Sequence, residues 1–374
     1  MKIVVTGANG LIGWHAAARI HALNCAAKFK SKPEPFELVM LDRAGFNTAV
    51  TLMAAVKNAD AVLHFAGVNR AADEVVETQN VNIAQMLADA CIASDNKPHI
   101  VYANTTHSGM DTPYGRAKKK AGEILSTIGG GFTDMILPHI FGEYARPNYN
   151  NVTATFIDSV IKGHRPEINP DGKVALLHVG TAAQAAIDAA VEKKTGQLTP
   201  EARLTPVPEL YETLKSFHES YTANIFPDLN DPFDVALFNS YRSALYPNYY
   251  PSMIKQNTDP RGTLFEAFKG GGGGQAFASW TKPGITRGDH FHVNKIERFL
   301  VIQGEAVIRI RKVLSDDVIE FPVTGDAPSF IDMPTLHTHS IENVGDSPLL
   351  TLFWSNELFD PKAPDTYADT VLRE

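Results

Sequence analysis

Lys2-Ile3-Val4-Val5-Thr6-Gly7-Ala8-Asn9-Gly10-Leu11-Ile12-Gly13 opens on an unbroken apolar run and breaks into glycines at every third position. A run without alternation reads as a strand buried on both faces. The glycines permit a tight turn and let backbone N–H groups approach an anion at a helix N-terminus. That helix is predicted over Leu11–Leu23. Working outward, Leu38–Leu41, Ala61–Phe65, His99–Ala103 and Met135–Pro138 read as further buried strands, with a helix near Val81–Ile92. Strand–helix alternation with apolar strands predicts an α/β, doubly wound parallel sheet.

The pattern changes later. Glu209–Ser220 has helical apolar spacing, but Tyr246-Pro247-Asn248-Tyr249-Tyr250-Pro251 is too rich in proline to extend a helix. The boundary is placed there, giving domains over 1–245 and 252–374. Beyond it lie short strand candidates broken by Gly, Pro and Asp: Thr263–Ala267, Gln275–Trp280, Glu297–Ile302, Ala306–Arg311 and Leu349–Trp354. They predict an all-β antiparallel barrel or jelly roll. Gly270–Gly274 reads as a flexible hairpin tip between two strands.

Bulk properties narrow the function. A net charge of −8, with Lys118–Lys120 as the longest basic run, argues against a nucleic-acid partner. Two cysteines are too few for a disulfide framework and fit a reducing cytosol. No signal-peptide pattern precedes the first strand and no apolar run reaches bilayer length, so a cytoplasmic protein without membrane partners is expected.

Two stretches carry chemistry. In Tyr114-Gly115-Arg116-Ala117-Lys118 a phenol and an ammonium lie four residues apart, on one helix face. The ammonium is expected to lower the tyrosine pKa, suiting a phenol that gives a proton to a carbonyl as hydride arrives. Behind the glycine-rich turn, this pair predicts a nicotinamide cofactor held by Gly7, Asn9, Gly10, Leu11, Ile12, Gly13 and Ala66 with Tyr114 and Lys118. A hydroxyl is expected at the end of the preceding strand, where register favours Thr105 over Thr106. His64, in an apolar run, reads as a packed core residue. Asp42 could accept from the ribose 2′-OH of NAD, whereas Arg43 could meet the 2′-phosphate of NADP.

The second stretch is Gly284 to Gly304. His290 and His292 point to one face of a strand, because side chains alternate, and a following strand can return Glu297 beside them. His339 follows later. Neutral imidazoles with one carboxylate suit Zn(II) or another first-row divalent ion, so the expected ligands are His290, His292, Glu297 and His339.

The spacing Gly284-x5-His290-x-His292-x4-Glu297-x6-Gly304 resembles the first cupin motif. The second motif departs from it, with Leu336 where glycine is usual. Asp259-Pro260-Arg261-Gly262 and Arg287–His292 resemble the deoxysugar 3,5-epimerases of that class. Roughly residues 1–240 resemble the extended short-chain dehydrogenases/reductases, which are Rossmann-type and act largely on nucleotide sugars; Thr105 stands where serine is usual. The domain order resembles the bifunctional capsular-polysaccharide enzyme family of CapF. That similarity includes His64–Arg70, Phe141-Gly142, Pro147–Phe156 and Trp354–Pro361. The resemblance implies that the barrel epimerises C3 of a UDP-2-acetamido-2,6-dideoxy-4-hexulose. The reductase then uses NADPH at C4, giving UDP-2-acetamido-2,6-dideoxy-L-talose on the UDP-N-acetyl-L-fucosamine route. It also implies a homodimer and a sugar-nucleotide pocket lined by Asn148–Thr155, with Asn148 and Asn151 as substrate-binding residues. Because a 4-keto group acidifies the C3 proton, epimerisation must precede reduction. Two rivals are an NADP(H)- or sugar-binding scaffold without catalysis, and a reductase fused to a metal-dependent oxygenase. Retention of Tyr114 and Lys118 argues against the first, and zinc would exclude the second.

Overall fold

β1 (Lys2–Thr6) feeds two cores at once. Val4 packs with Leu41, Val62, Ile100 and Leu125, while Ile3 and Val5 pack on the other side with Ile20, Leu63 and Ala186. Two-sided burial accounts for the absence of alternation in its sequence. The sheet runs β2 (Glu37–Leu41), β1, β3 (Ala61–His64), β4 (His99–Thr105), β5 (Phe132–Leu137) and β6 (Gly196–Leu198), every pair parallel. Helices α1 (Leu11–Phe29) and α4 (Val179–Val191) contribute to one core, and α2 (Asp73–Ala93) and α3 (Pro113–Ser126) to the other. Strand order reverses between β1 and β3, which opens a crevice above the carboxyl ends of those strands. The expected doubly wound parallel sheet is present. The strand expected over Met135–Pro138 begins earlier, at Phe132, and stops at Leu137, and the helix expected from Val81 starts at Asp73, with Asp73 and Glu74 complementing its dipole.

The computed structural model describes residues 1–373 as two compact units. One comprises Met1–Thr155 with Glu167–Leu210, the other Phe156–Pro166 with the chain from Tyr211 onward.

The second unit holds two five-stranded antiparallel sheets. The first is ordered β7 (Ser252–Met253), β13 (Ser329–Met333), β10 (Glu297–Gln303), β15 (Leu349–Ser355), β8 (Gln275–Thr281). The second is ordered β12 (Val318–Thr324), β11 (Glu305–Lys312), β14 (His337–Asn343), β9 (Thr286–Phe291), β16 (Tyr367–Ala368). Phe299, Ile308, Ile310, Phe330, Ile341 and Phe353 share one core.

Helical residues from Tyr211 belong to this unit, whereas the sequence placed its boundary at 245–252. A buried polar cluster fastens them. Arg298, fully buried, donates to both carboxylate oxygens of Asp332 at 2.6 and 2.8 Å, and its guanidinium stacks on Phe330 and Phe226. Tyr221 and Tyr250 hydrogen-bond each other at 2.6 Å, and Tyr221 donates to Asp332. Removing one partner of such a pair costs roughly 3–5 kcal/mol, since the other is left charged and unpaired.

The five glycines are not a hairpin tip. Strand Gly262–Phe265 pairs with Gln256–Asp259, and β8 pairs with β15. The glycine backbone instead runs against Phe226, where Gly271 N donates to the Phe226 carbonyl, and against Trp354. A side chain would collide at the end of the run, where a Cβ on Gly274 would fall 2.4 Å from the Ser355 oxygen.

Candidate functional site

The glycine-rich turn is packed so tightly that neither Gly7 nor Gly13 could carry a side chain. Gly7 has φ +65°, and a Cβ on it would fall 2.8 Å from Ala66 N. A Cβ on Gly13 would meet the Gly7 oxygen at 2.2 Å. This brings Ala66 to the turn. Gly10 precedes α1 and supplies no side-chain cap, so the first helical N–H groups, at Leu11 and Ile12, face no capping side chain and suit an anion. Asn9 and Gly10 are exposed beside them. Ala8 N donates to the Leu41 carbonyl at 3.2 Å, tying the turn to the end of β2 next to Asp42. Asp42 is partly committed already: one carboxylate oxygen accepts from Gly45 N at 2.7 Å and caps a short helix, while Arg43 is exposed.

His64 is buried and 2.8 Å from Thr6 Oγ1, and burial, with the Lys118 charge, pushes it down to about 3. It is a neutral core residue, as its apolar surroundings suggested.

Pro113 opens α3, and Thr112 caps it by accepting from Gly115 N at 3.1 Å. Gly115 lets the turn at 106–110 press against α3, for a Cβ there would lie 2.4 Å from the carbonyls of His107 and Met110. Thr105 stands at the end of β4 and its hydroxyl accepts from His107 N at 3.3 Å. Thr106 is exposed on the following turn.

The electrostatics depart from expectation. Burial raises the Tyr114 phenol above its usual value, rather than Lys118 lowering it. The Lys118 ammonium donates to the Ala103 carbonyl at 2.5 Å and sits 4.1 Å over the Tyr102 ring. It is committed to the strand, and its own burial brings it down to about 7.

Facing loops complete this half. Arg70 donates to the Asn148 carbonyl and lies over the Tyr149 ring, and Asn150 donates to Asn69 O at 3.0 Å. Asn148 is exposed, with φ +57°. The Asn151 carboxamide is spent on backbone, donating to Ile140 O and accepting from Ala154 N, both at 2.9 Å. Sequence reasoning overlooked Asn80, which holds the loop after β3 by donating to Val68 O at 2.7 Å and accepting from Val68 N at 3.0 Å. It also overlooked Glu143. His178 Nε2 donates to its carboxylate at 2.9 Å, and His15 of α1 donates to its backbone oxygen at 3.1 Å. Burial works to raise the Glu143 carboxyl, but the adjacent His178 brings it down to about 2.

In the second unit the four expected ligands converge. One donor atom from each of His290, His292, Glu297 and His339 lies within 4.8 Å of the others. His292 Nε2 is 3.2 Å from Glu297 Oε2, His339 Nε2 3.5 Å and His290 Nε2 3.9 Å. Tautomers follow from the other ring atoms. His292 Nδ1 faces the Asp365 carbonyl at 2.5 Å and His339 Nδ1 the His337 carbonyl at 3.0 Å. A carbonyl only accepts, so each Nδ1 carries a proton, and in the neutral ring each Nε2 is left as a lone pair facing a carboxylate oxygen. Buried lone pairs aimed at a carboxylate call for a cation between them. His339 Nε2 is buried with no hydrogen-bond partner, and burial brings that ring down to about 4. The donor set therefore fits a divalent ion. His337 lies apart, its Nδ1 donating to Thr335 O at 3.0 Å.

A parallel sheet with a glycine-cradled helix start and a Tyr-x-x-x-Lys helix defines a nicotinamide-dependent oxidoreductase class. Residues 3–201 match the NAD dependent epimerase/dehydratase family, and residues 257–367 match the polysaccharide biosynthesis C-terminal domain. The chain is 29% identical over 381 residues, 99% of each chain, to the UDP-2-acetamido-2,6-beta-L-arabino-hexul-4-ose reductase of Pseudomonas aeruginosa. It is 30% identical to the capsular polysaccharide assembling protein CapF of Staphylococcus aureus, with a TM-score of 0.58, covering 99% of this chain and 100% of that one. A structure of CapF with inhibitor 3-isopropenyl-tropolone matches at 30% identity and a TM-score of 0.54, covering 99% and 100%. The chain belongs to the NAD-dependent epimerase/dehydratase family and, along its length, to the family of CapF-like bifunctional enzymes. No helix among the described residues is long and apolar enough to cross a membrane.

Proposed function

We propose that this chain epimerises C3 of a UDP-2-acetamido-2,6-dideoxy-4-hexulose and then reduces C4 with NADPH, giving UDP-2-acetamido-2,6-dideoxy-L-talose. Residues within 252–374, read as a cupin barrel, carry the first step, and residues within 1–245 the second. The observation that carries the reading is the presence in one chain of a Tyr114/Lys118 helix beside a glycine-cradled turn and an imidazole–carboxylate cluster with its lone pairs converged. The nature of the relatives supports the substrate class: one is named for reducing a UDP-hexulose.

In the reduction, a nicotinamide held by Gly7–Gly13 would supply the hydride for C4, and Tyr114 would give its phenolic proton to the C4 oxygen. Burial keeps that phenol protonated until it is used. Thr105 holds the carbonyl and Lys118 turns from Ala103 O to the cofactor ribose. The turn Gly7–Gly13, with Asn9, Leu11 and Ile12, receives the pyrophosphate. Arg43 meets the 2′-phosphate, a choice supported by the engagement of Asp42 in capping. Asn148 faces the sugar nucleotide; for Asn151 we propose that it shapes this loop from behind. In the epimerisation a proton leaves C3 and another returns from the opposite face, with no net oxidation. Zn(II) held by His290, His292, Glu297 and His339 would polarise the ketone. A cytoplasmic homodimer completes the proposal. It is supported by two free buried cysteines and by exposed Leu264, Phe277 and Trp280 on a hairpin and an edge strand.

Incubation with NADPH and the UDP-4-ketosugar in deuterated water tests it. Deuterium at C3 of the reduced product is expected. NADPH oxidation without C3 deuterium would leave a plain reductase and end the two-step reading.

A further inference from the structure

We infer that residues 365–371 form a strap that positions the imidazole–carboxylate cluster, with Asp365 as its acting residue. The inference rests on the metal reading proposed above. Ligand spacing decides which side chains meet, but not which ring nitrogen faces the centre. The strap decides that for His292. The Asp365 carbonyl accepts from His292 Nδ1 at 2.5 Å, which leaves the Nε2 lone pair directed at Glu297. The Asp365 carboxylate accepts three further protons, from the backbone N–H groups of Val293, Asn294 and Lys295 at 2.9, 2.7 and 2.7 Å. Those residues form the turn that carries the chain from His292 to Glu297. One side chain therefore closes the path between two ligands while its backbone orients one of them.

The remainder of the strap reaches the other ligands. Thr366 Oγ1 accepts from Lys295 Nζ at 3.3 Å, and that ammonium lies 3.9 Å from Glu297 Oε1. Tyr367 and Ala368 pair with Phe291 and His290. The Asp369 carboxylate accepts from Arg311 Nη2 at 2.7 Å and from Thr338 Oγ1 at 2.6 Å, one residue from His339. A segment that merely closed the sheet would need only the Tyr367–Ala368 pairing. Convergence of one carboxylate and one carbonyl on the His292–Lys295 turn is the mark of a group that fixes ligand geometry.

Zn(II) affinity of metal-stripped wild type and Asp365→Ala, measured by competition with a chromophoric chelator, tests the inference. NADPH binding serves as the control on the other unit. The variant is expected to bind Zn(II) about 10–100-fold more weakly, with NADPH affinity unchanged. Imidazole 15N shifts of the metal-free wild type should show His292 protonated on Nδ1. Equal Zn(II) affinity in the two proteins, or His292 protonated on Nε2, overturns the strap. A wild type that binds no Zn(II) overturns the metal reading instead, and the tautomer still decides whether Asp365 sets His292. Should Asp365→Ala fail to fold, Asp365→Asn keeps one acceptor oxygen and is expected to show a smaller loss of affinity, and no loss counts against the strap.

Discussion

Tyr114 and Lys118 were read from the sequence as a cooperating pair, and the structure assigns them different burdens. Burial holds the phenol protonated, which suits a proton donor. Tyr114→Phe keeps the ring and removes the proton, so ketosugar reduction should fall by ~10²–10⁴-fold. Its far-UV spectrum and melting should stay those of wild type; a variant reducing at the wild-type rate would remove Tyr114 from the mechanism. Lys118 carries a cost. Its folded value of about 7 lies below the ordinary 10.5, so between those values the unfolded chain holds the extra proton and stability climbs with pH. Every tenfold loss of proton affinity on folding is worth roughly 1.4 kcal/mol. Lys118→Met is therefore expected to melt higher than wild type at pH 7, with the advantage fading as pH approaches 10, while binding NADPH more weakly. A melting difference that does not change with pH would show that burial of the charge is not what separates the two proteins.

At the scale of elements, the glycine-rich turn is the most legible part of the chain because its chemistry is in its backbone. Gly13→Ala would drive a methyl to within 2.2 Å of the Gly7 oxygen, so cofactor titration should show binding lost, whereas Zn(II) uptake by the second unit should persist. Normal NADPH affinity in this variant would contradict the packing described. Other elements were legible only in part. β13 and β14 escaped notice because they bury Asp332, His337, Thr338, His339 and Ser340, which erases the apolar alternation that marks a strand. Their polar residues are buried in the Arg298 cluster and beside the ligand cluster. Glu143 and Asp365 were invisible for another reason: each acts on residues far along the chain, the former across 128 positions to His15 and the latter across 73 to His292. The lowered tyrosine pKa was expected from i,i+4 spacing, but a shared helix face does not fix where a long side chain ends. Lys118 ends on Ala103 and Tyr102.

For the whole molecule, the decisive question is whether the two chemistries separate. His290→Ala should abolish deuterium incorporation at C3 without changing NADPH affinity, and Tyr114→Phe should still exchange that proton while failing to reduce the ketone. Continued C3 exchange in His290→Ala would make the second unit a binding module. The two compact units are interleaved in sequence, since Phe156–Pro166 groups with the later residues and Glu167–Leu210 with the earlier ones. A fragment cut at 252 would leave behind Tyr221 and Tyr250, and with them part of the shell around Asp332. Dissection of this protein therefore calls for point substitutions rather than pieces.

The strap also imposes an order on synthesis. The ribosome makes His290, His292, Glu297 and His339 before it makes Asp365. While the strap is still untranslated, His292 lacks the carbonyl that selects its tautomer and the turn to Glu297 lacks the carboxylate that closes it. A nascent chain then presents these four side chains as a loose set, and the geometry proposed above for holding an ion forms only once residues 365–371 emerge and seat.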